Sequence, residues 1–233
     1  MASFVVIVSV SGFARQWRRI GLWLGCVVWS AGFGQSAEVM SVIDGIEQRY
    51  NSPRTMELLF EQTYRGLGRP PRAESGRLYL RKPRRMRWEY ADPAGKLFLS
   101  DGQDVYFYSP SSNRVEKMRL KESGDLRTPL AFLMGRVDLR RDFEKFVSRP
   151  EGEALRITAF PKSEKAPYSQ VEFLVEDGFR IAELVVTGQD QTVMSFRFSG
   201  EQVNPALEAG LFEFKMPPGA EFIELIDETD GSF

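Results

Sequence analysis

Few residues of this chain are of a type and spacing that perform chemistry. Histidine is absent from all 233 residues, which removes the commonest general base, a frequent metal ligand and every Ser-His or Cys-His pairing. The single cysteine, Cys26, lies in an N-terminal apolar stretch, so no disulfide or zinc thiolate is expected in the body of the protein. Two acidic pairs, Glu151 with Glu153 and Asp227 with Glu228, are of the right type for acid–base work, but nothing places either in a cleft and both read as solvated charge. No nucleophile elbow, phosphate-binding glycine loop, metal-ligand cluster or dinucleotide fingerprint is found. The expectation is a protein that is not an enzyme and uses no cofactor or metal. The basic run Arg81-Lys82-Pro83-Arg84-Arg85-Met86-Arg87, beside Trp88 and Tyr90, has the composition of a nucleic-acid site. A net charge of -1 argues against that, and the run reads as a strand face whose arginine stems cover apolar surface.

The apolar residues say more. Hydrophobic types make up 42% of the chain, including 18 phenylalanines, eight methionines and four tryptophans. Met86, Trp88 and Tyr90 alternate with Arg85, Arg87 and Glu89, the period-two signature of a strand with one greasy face. Similar segments run over 56–65, 76–82, 97–99, 105–108, 115–120, 155–160, 171–176, 180–186, 193–198 and 211–215. Asp101-Gly102 supplies a hairpin turn, and Asp177-Gly178 and Gly188-Gln189-Asp190 are further turns. A helix precedes the strands, with Val39, Ile43, Ile46 and Tyr50 on one stripe and Asn51-Ser52-Pro53 as its stop. Thr128-Pro129 starts a second helix, carrying Leu130, Phe132 and Leu133 and closed by Gly135. A third short helix is expected over 139–147, with Leu139, Phe143 and Phe146 on one side.

The N-terminus reads as a targeting segment. Arg15, Arg18 and Arg19 precede an uncharged run from Ile20 to Gly34 and small residues up to Ala37, the order of a secretory signal peptide. Residues 1–37 are expected to be a signal peptide with an N-terminal extension, and residues 38–233 one domain; an uncleaved N-terminal anchor is the alternative. The remaining chain has a net charge of -4, since the three arginines leave with no acidic residue. A periplasmic location is expected, with no nucleic-acid partner.

About ten strands with two or three helices suggest an antiparallel sheet that curls into a barrel or near-barrel, one open side covered by the helices. Large apolar side chains around a hollow make a lipid site. Phe60, Leu80, Met86, Trp88, Tyr90, Leu97, Leu99, Tyr106, Phe173 and Phe196 are the candidate cavity residues, and Leu130, Phe132 and Leu133 the candidate lid. Which strand face points inward is left open.

In order and spacing the chain resembles the LolA-type outer-membrane lipoprotein carriers. The resemblance lies in Gly76-Arg-Leu-Tyr-Leu-Arg-Lys-Pro83, Arg87-Trp88-Glu89-Tyr90, Pro93 and Leu99-Ser100-Asp101-Gly102. It continues in Val105-Tyr106-Phe107-Tyr108-Ser109-Pro110, in Thr128-Pro129-Leu130-Ala131-Phe132-Leu133, and in Phe212-Glu213-Phe214 with Pro217-Pro218-Gly219. It implies a mainly β fold with α, an incomplete antiparallel barrel of about eleven strands under a helical lid. It also implies a monomeric carrier that takes lipoproteins by their acyl chains from an inner-membrane ABC exporter to an outer-membrane acceptor. In that family a basic residue just before the proline of the first motif latches the lid, usually an arginine. Here Lys82 stands there; lysine lacks the planar five-donor fork, and Arg81 or Arg87 is the alternative latch. The acceptor lipoprotein of the same pathway, lipidated at Cys26, is a competing reading, which Trp23-Leu24-Gly25 before that cysteine disfavours. A binding module for another lipid or amphiphile is the other.

Overall fold

The computed structural model describes residues 31–68, 70–120 and 137–225, with side chains from residue 37 onward. The expected helix is present as α1 (Ala31–Asn51). Twelve strands follow: β1 (Thr55–Arg65), β2 (Arg72–Arg81), β3 (Arg85–Asp92), β4 (Leu97–Asp101), β5 (Asp104–Ser109), β6 (Arg114–Arg119), β7 (Phe143–Glu151), β8 (Ala154–Pro161), β9 (Tyr168–Glu176), β10 (Arg180–Gly188), β11 (Val193–Val203) and β12 (Glu221–Leu225). One turn of helix, α2 (Leu139–Asp142), leads into β7. Among the described residues no helix is long and apolar enough to cross a membrane.

All the strands join one sheet in the order β12-β6-β5-β4-β3-β2-β1-β11-β10-β9-β8-β7, with β12 and β7 as its edges. Every pairing is antiparallel except that of β12 with β6. The sheet does not close on itself, so this is an incomplete barrel. Asp101 holds the β4–β5 turn as expected, its carboxylate accepting the amides of Gln103 and Asp104, each at 2.8 Å. Gly102 takes the positive φ of 103° that this turn needs.

One face of the sheet is almost wholly apolar. The registers align Phe60 with Gly76, Leu78 with Trp88, Leu80 with Met86, and Leu184 with both Phe196 and Phe173. Val39, Ile43, Ile46 and Tyr50 of α1 join these side chains in a single buried cluster. This face is the inner one, and α1 covers it.

Two expectations about elements are corrected. Phe143 to Val147 is not helical but opens β7. A bulge between Phe143 and Lys145 breaks the alternation, so two phenylalanines three apart lie on one strand face and imitate helical spacing. No strand forms over 211–215 either: Ala209–Phe212 is a 3-10 turn. Phe212 and Phe214 are spaced by two because both are laid against the outer face of the sheet, where Phe214 stacks on Tyr106 at 4.4 Å.

Candidate lipid-binding face

The floor of the inner face is built by period two in β1, β2 and β3 and by their register. Met56, Leu58 and Phe60, then Leu78 and Leu80, then Met86, Trp88 and Tyr90 all point inward and are buried. Phe60 lies 4.6 Å from Trp88 and 5.1 Å from Tyr90, and Trp88 lies 5.4 Å from Phe196, the last two pairs edge to face. Such geometry adds about 0.5–1.5 kcal/mol per pair beyond area burial. Gly76 makes the crowding possible, since a Cβ there would lie 2.1 Å from the Glu89 carbonyl oxygen. Phe173 on β9 and Phe196 on β11 complete the floor. Seven of the ten candidate cavity residues are therefore brought together: Phe60, Leu80, Met86, Trp88, Tyr90, Phe173 and Phe196.

The other three are not. Leu97, Leu99 and Tyr106 lie on the outer face, in register with Glu89, Arg87 and Lys117. Leu99 is fully buried there, on the side crossed by the C-terminal segment around Phe212 and Phe214. The inward positions of β4 and β5 are Phe98, Ser100, Val105 and Phe107.

The basic residues separate in the same way. Arg81 donates to the carbonyls of Leu207 (2.7 Å) and Glu208 (3.0 Å) and sits 4.9 Å over the Phe212 ring. Arg87 donates to the Leu211 carbonyl at 3.3 Å. Both fasten the C-terminal segment to the outer face, so neither is placed to latch an inner cover; odd-numbered positions of this strand pair point outward. Lys82 alone turns toward α1, its ammonium donating to the carbonyl of Tyr50 in the last turn of the helix. Half-burial holds its pKa below the ordinary lysine value. Leu130, Phe132 and Leu133 lie outside the described residues.

The remaining fastenings of α1 were not visible in the sequence. Arg49 pairs with Glu201, and it also donates to the Gly178 carbonyl at 3.1 Å. Asn51 exchanges two hydrogen bonds of 2.8 Å with Val137, and Glu47 accepts the amide of Leu139 at 2.7 Å. Glu201 faces the helix because β11 is bulged against β1 near Gly200, and a bulge re-aims a side chain in a way alternation does not foretell.

Tyr50 accepts the amide of Ile181 at 2.9 Å and donates to Glu201 at 3.4 Å. Burial, then the Glu201 charge, pushes its phenol up to about 12 from the usual 10. A raised folded pKa gives stability that is complete below pH 10 and lost as pH rises through 12, on the order of 2–3 kcal/mol. Tyr50→Phe is expected to be less stable than the parent at neutral pH by about 1 kcal/mol, through the orphaned amide. Stabilities measured by denaturation from pH 8 to 12 should then draw together above pH 10 and cross before pH 12, the variant becoming the more stable; a constant gap would contradict the assignment.

At the other end of β1–β3 the inner face turns polar. Lys96 donates to Glu74 at 2.5 Å and lies 4.3 Å over the Tyr90 ring, while the Tyr90 hydroxyl donates to Gln62 at 3.2 Å. Burial, then the Glu74 charge, pushes the Tyr90 phenol above its usual range.

The inner face is thus a continuous apolar surface under α1, with a polar group at each end. The sequence profile described as outer membrane lipoprotein carrier protein LolA matches residues 51–215. An outer-membrane lipoprotein carrier protein of Dechloromonas aromatica is 28% identical over 185 residues, covering 78% of this chain and 86% of that protein. One from Nitrosomonas europaea is 27% identical over 184 residues, covering 78% and 89%. One from Bordetella avium is 30% identical over 161 residues, covering 68% and 75%. With a profile match running from the end of α1 to the strap that carries Phe212, this chain belongs to the LolA outer-membrane lipoprotein carrier family.

Proposed function

We propose that this protein carries lipoproteins across the periplasm by sheltering their acyl chains against the inner face of the open barrel, and catalyses no reaction. The observation that supports this best is the continuous apolar face from β3 through β1 and β11 to β8, covered by a helix that packs on it through an apolar stripe and is pinned at its C-terminal end by polar contacts. The family membership and the names of the relatives support the same reading. Moving a methylene out of water is worth about 0.8 kcal/mol, so a chain of about sixteen carbons gains on the order of 10 kcal/mol by entering.

In the empty state the protein's own side chains and α1 occupy that face. Loading therefore displaces a cover formed by α1 together with Leu130, Phe132 and Leu133. Separating that cover from the sheet costs free energy, which is subtracted from the binding energy and keeps release feasible. The donor is an inner-membrane ABC lipoprotein exporter and the recipient an outer-membrane acceptor.

Lys82 acts here as the latch on the closed form. Removing a hydrogen bond made by a charged group shifts the closed–open balance by about 1.5–3 kcal/mol. Lys82→Met is expected to bind a lipoprotein about tenfold or more tightly and to pass it on more slowly, read by fluorescence titration and a vesicle-to-acceptor transfer assay. Weaker binding would mean that Lys82 touches cargo instead. The test of the function itself is recovery of the protein from periplasm with its bound species identified by mass spectrometry. Acylated lipoproteins are the expected companions; a free glycolipid or no lipid at all would overturn the proposal.

A further inference from the structure

The polar cluster at the end of the inner face away from Lys82 has no part in holding α1. Gln62 and Glu74 are register partners on β1 and β2, and Tyr90 and Lys96 reach them from β3 and the β3–β4 turn. The Glu74 side chain is only 9% exposed and that of Lys96 17%, with the more exposed Arg72 at 3.6 Å. Stability does not require a charge pair at such a place, since apolar residues of similar size generally serve as well or better. A reason connected with the guest is therefore worth testing.

Inward positions of β2 run Glu74, Gly76, Leu78, Leu80, with Lys82 just beyond the strand. Eight residues at ~3.3 Å each put the two charged ends roughly 26 Å apart, and the end side chains reduce the apolar lane to about 20 Å. Carbon–carbon bonds of about 1.5 Å meeting near 111° advance about 1.25 Å each, so an extended chain of about sixteen carbons spans the lane. Any further methylene meets a buried carboxylate and ammonium, which it can pass only by separating them.

We infer that the Gln62–Glu74–Tyr90–Lys96 cluster is the stop at the end of the acyl lane, and that it sets the chain length this protein holds best. The inference rests on the carrier reading, and its test separates the two. The full chain is titrated with one peptide N-acylated by chains of 12, 14, 16, 18 and 20 carbons. Affinity is expected to rise about fourfold per methylene up to about sixteen carbons and then to level off. In the double variant Glu74→Leu, Lys96→Met, which removes the pair as a unit, the rise should continue to the longest chain. An unbroken rise in the parent protein, or an unmoved break in the double variant, overturns the stop. No binding at any length overturns the carrier reading itself. Should the double variant fail to fold, the profile of the parent protein alone decides, because a continuous rise through twenty carbons is incompatible with a stop.

Discussion

Trp88→Ala is expected to lower stability by about 3–5 kcal/mol, the usual cost of truncating a buried aromatic residue. Trp88 is 2% exposed. Its ring touches Phe60 and Phe196, its indole N–H points at the Met86 sulfur at 2.8 Å, and it faces Leu78 across the register. These neighbours belong to strands tied together through backbone hydrogen bonds, so they close only partly around the gap. The gap also lies on the floor proposed for the guest, and a long-chain acyl peptide is expected to fill it. The rise in Tm on adding such a peptide should therefore be larger in Trp88→Ala than in the parent protein. Equal rises in the two would place the guest elsewhere.

Arg156→Ala should also lower stability, for an opposite reason. Arg156 stands on the outer face, its side chain 8% exposed, and donates to Glu151 at 2.5 and 2.7 Å and to Glu183 at 2.9 Å, with Glu172 at 3.7 Å. Those hydrogen bonds hold the guanidinium charged above its ordinary range. Removing the cation leaves Glu172 and Glu183 mostly covered, with Arg197 at 3.4 Å as a remaining counter-charge for Glu183. Glu151 is well exposed and rehydrates, so the loss is that of hydrogen bonds to a charged group on a solvent-facing surface, about 1.5–3 kcal/mol. Denaturant titration should show the loss, and acidification should reduce the difference once the Glu151 carboxylate, held below its usual range by the hydrogen bonds from Arg156, is protonated. The acyl peptide should raise the Tm of Arg156→Ala as much as it raises that of the parent protein, since the inner face is untouched. A changed response to the peptide would contradict the separation of the two faces.

The apolar side of β3 was legible because charged and apolar residues alternate over 85–90 without a break, whereas Leu59 and Tyr79 interrupt the pattern in β1 and β2. The sequence did not carry the inner face of β4 and β5, where Leu97-Phe98-Leu99 and Tyr106-Phe107-Tyr108 are apolar at every position. Which side of such strands is the core depends on what covers the other side. The cover is the segment at Phe212 and Phe214, more than a hundred residues later, and no local pattern reports it. Of the three basic candidates, Arg81 and Arg87 share the outward parity of their strands, whereas Lys82 stands just past the end of β2, free of that alternation. The helix stripe of α1 was legible from its spacing, but its fastening by Glu201 depended on a bulge. The β7 error has the same origin: alternation assumes an unbroken strand, and Phe143 and Phe146 straddle a break.

Trp88 also supplies the most direct measurement. The other three tryptophans are Trp17, Trp23 and Trp29, so once these three are replaced by phenylalanine all indole fluorescence comes from the inner face. An acyl peptide brominated along its chain quenches indole on contact. Saturable quenching of Trp88, relieved by an excess of unbrominated peptide, is the predicted result. Binding of the same peptide, detected independently, with Trp88 emission unchanged would contradict the account.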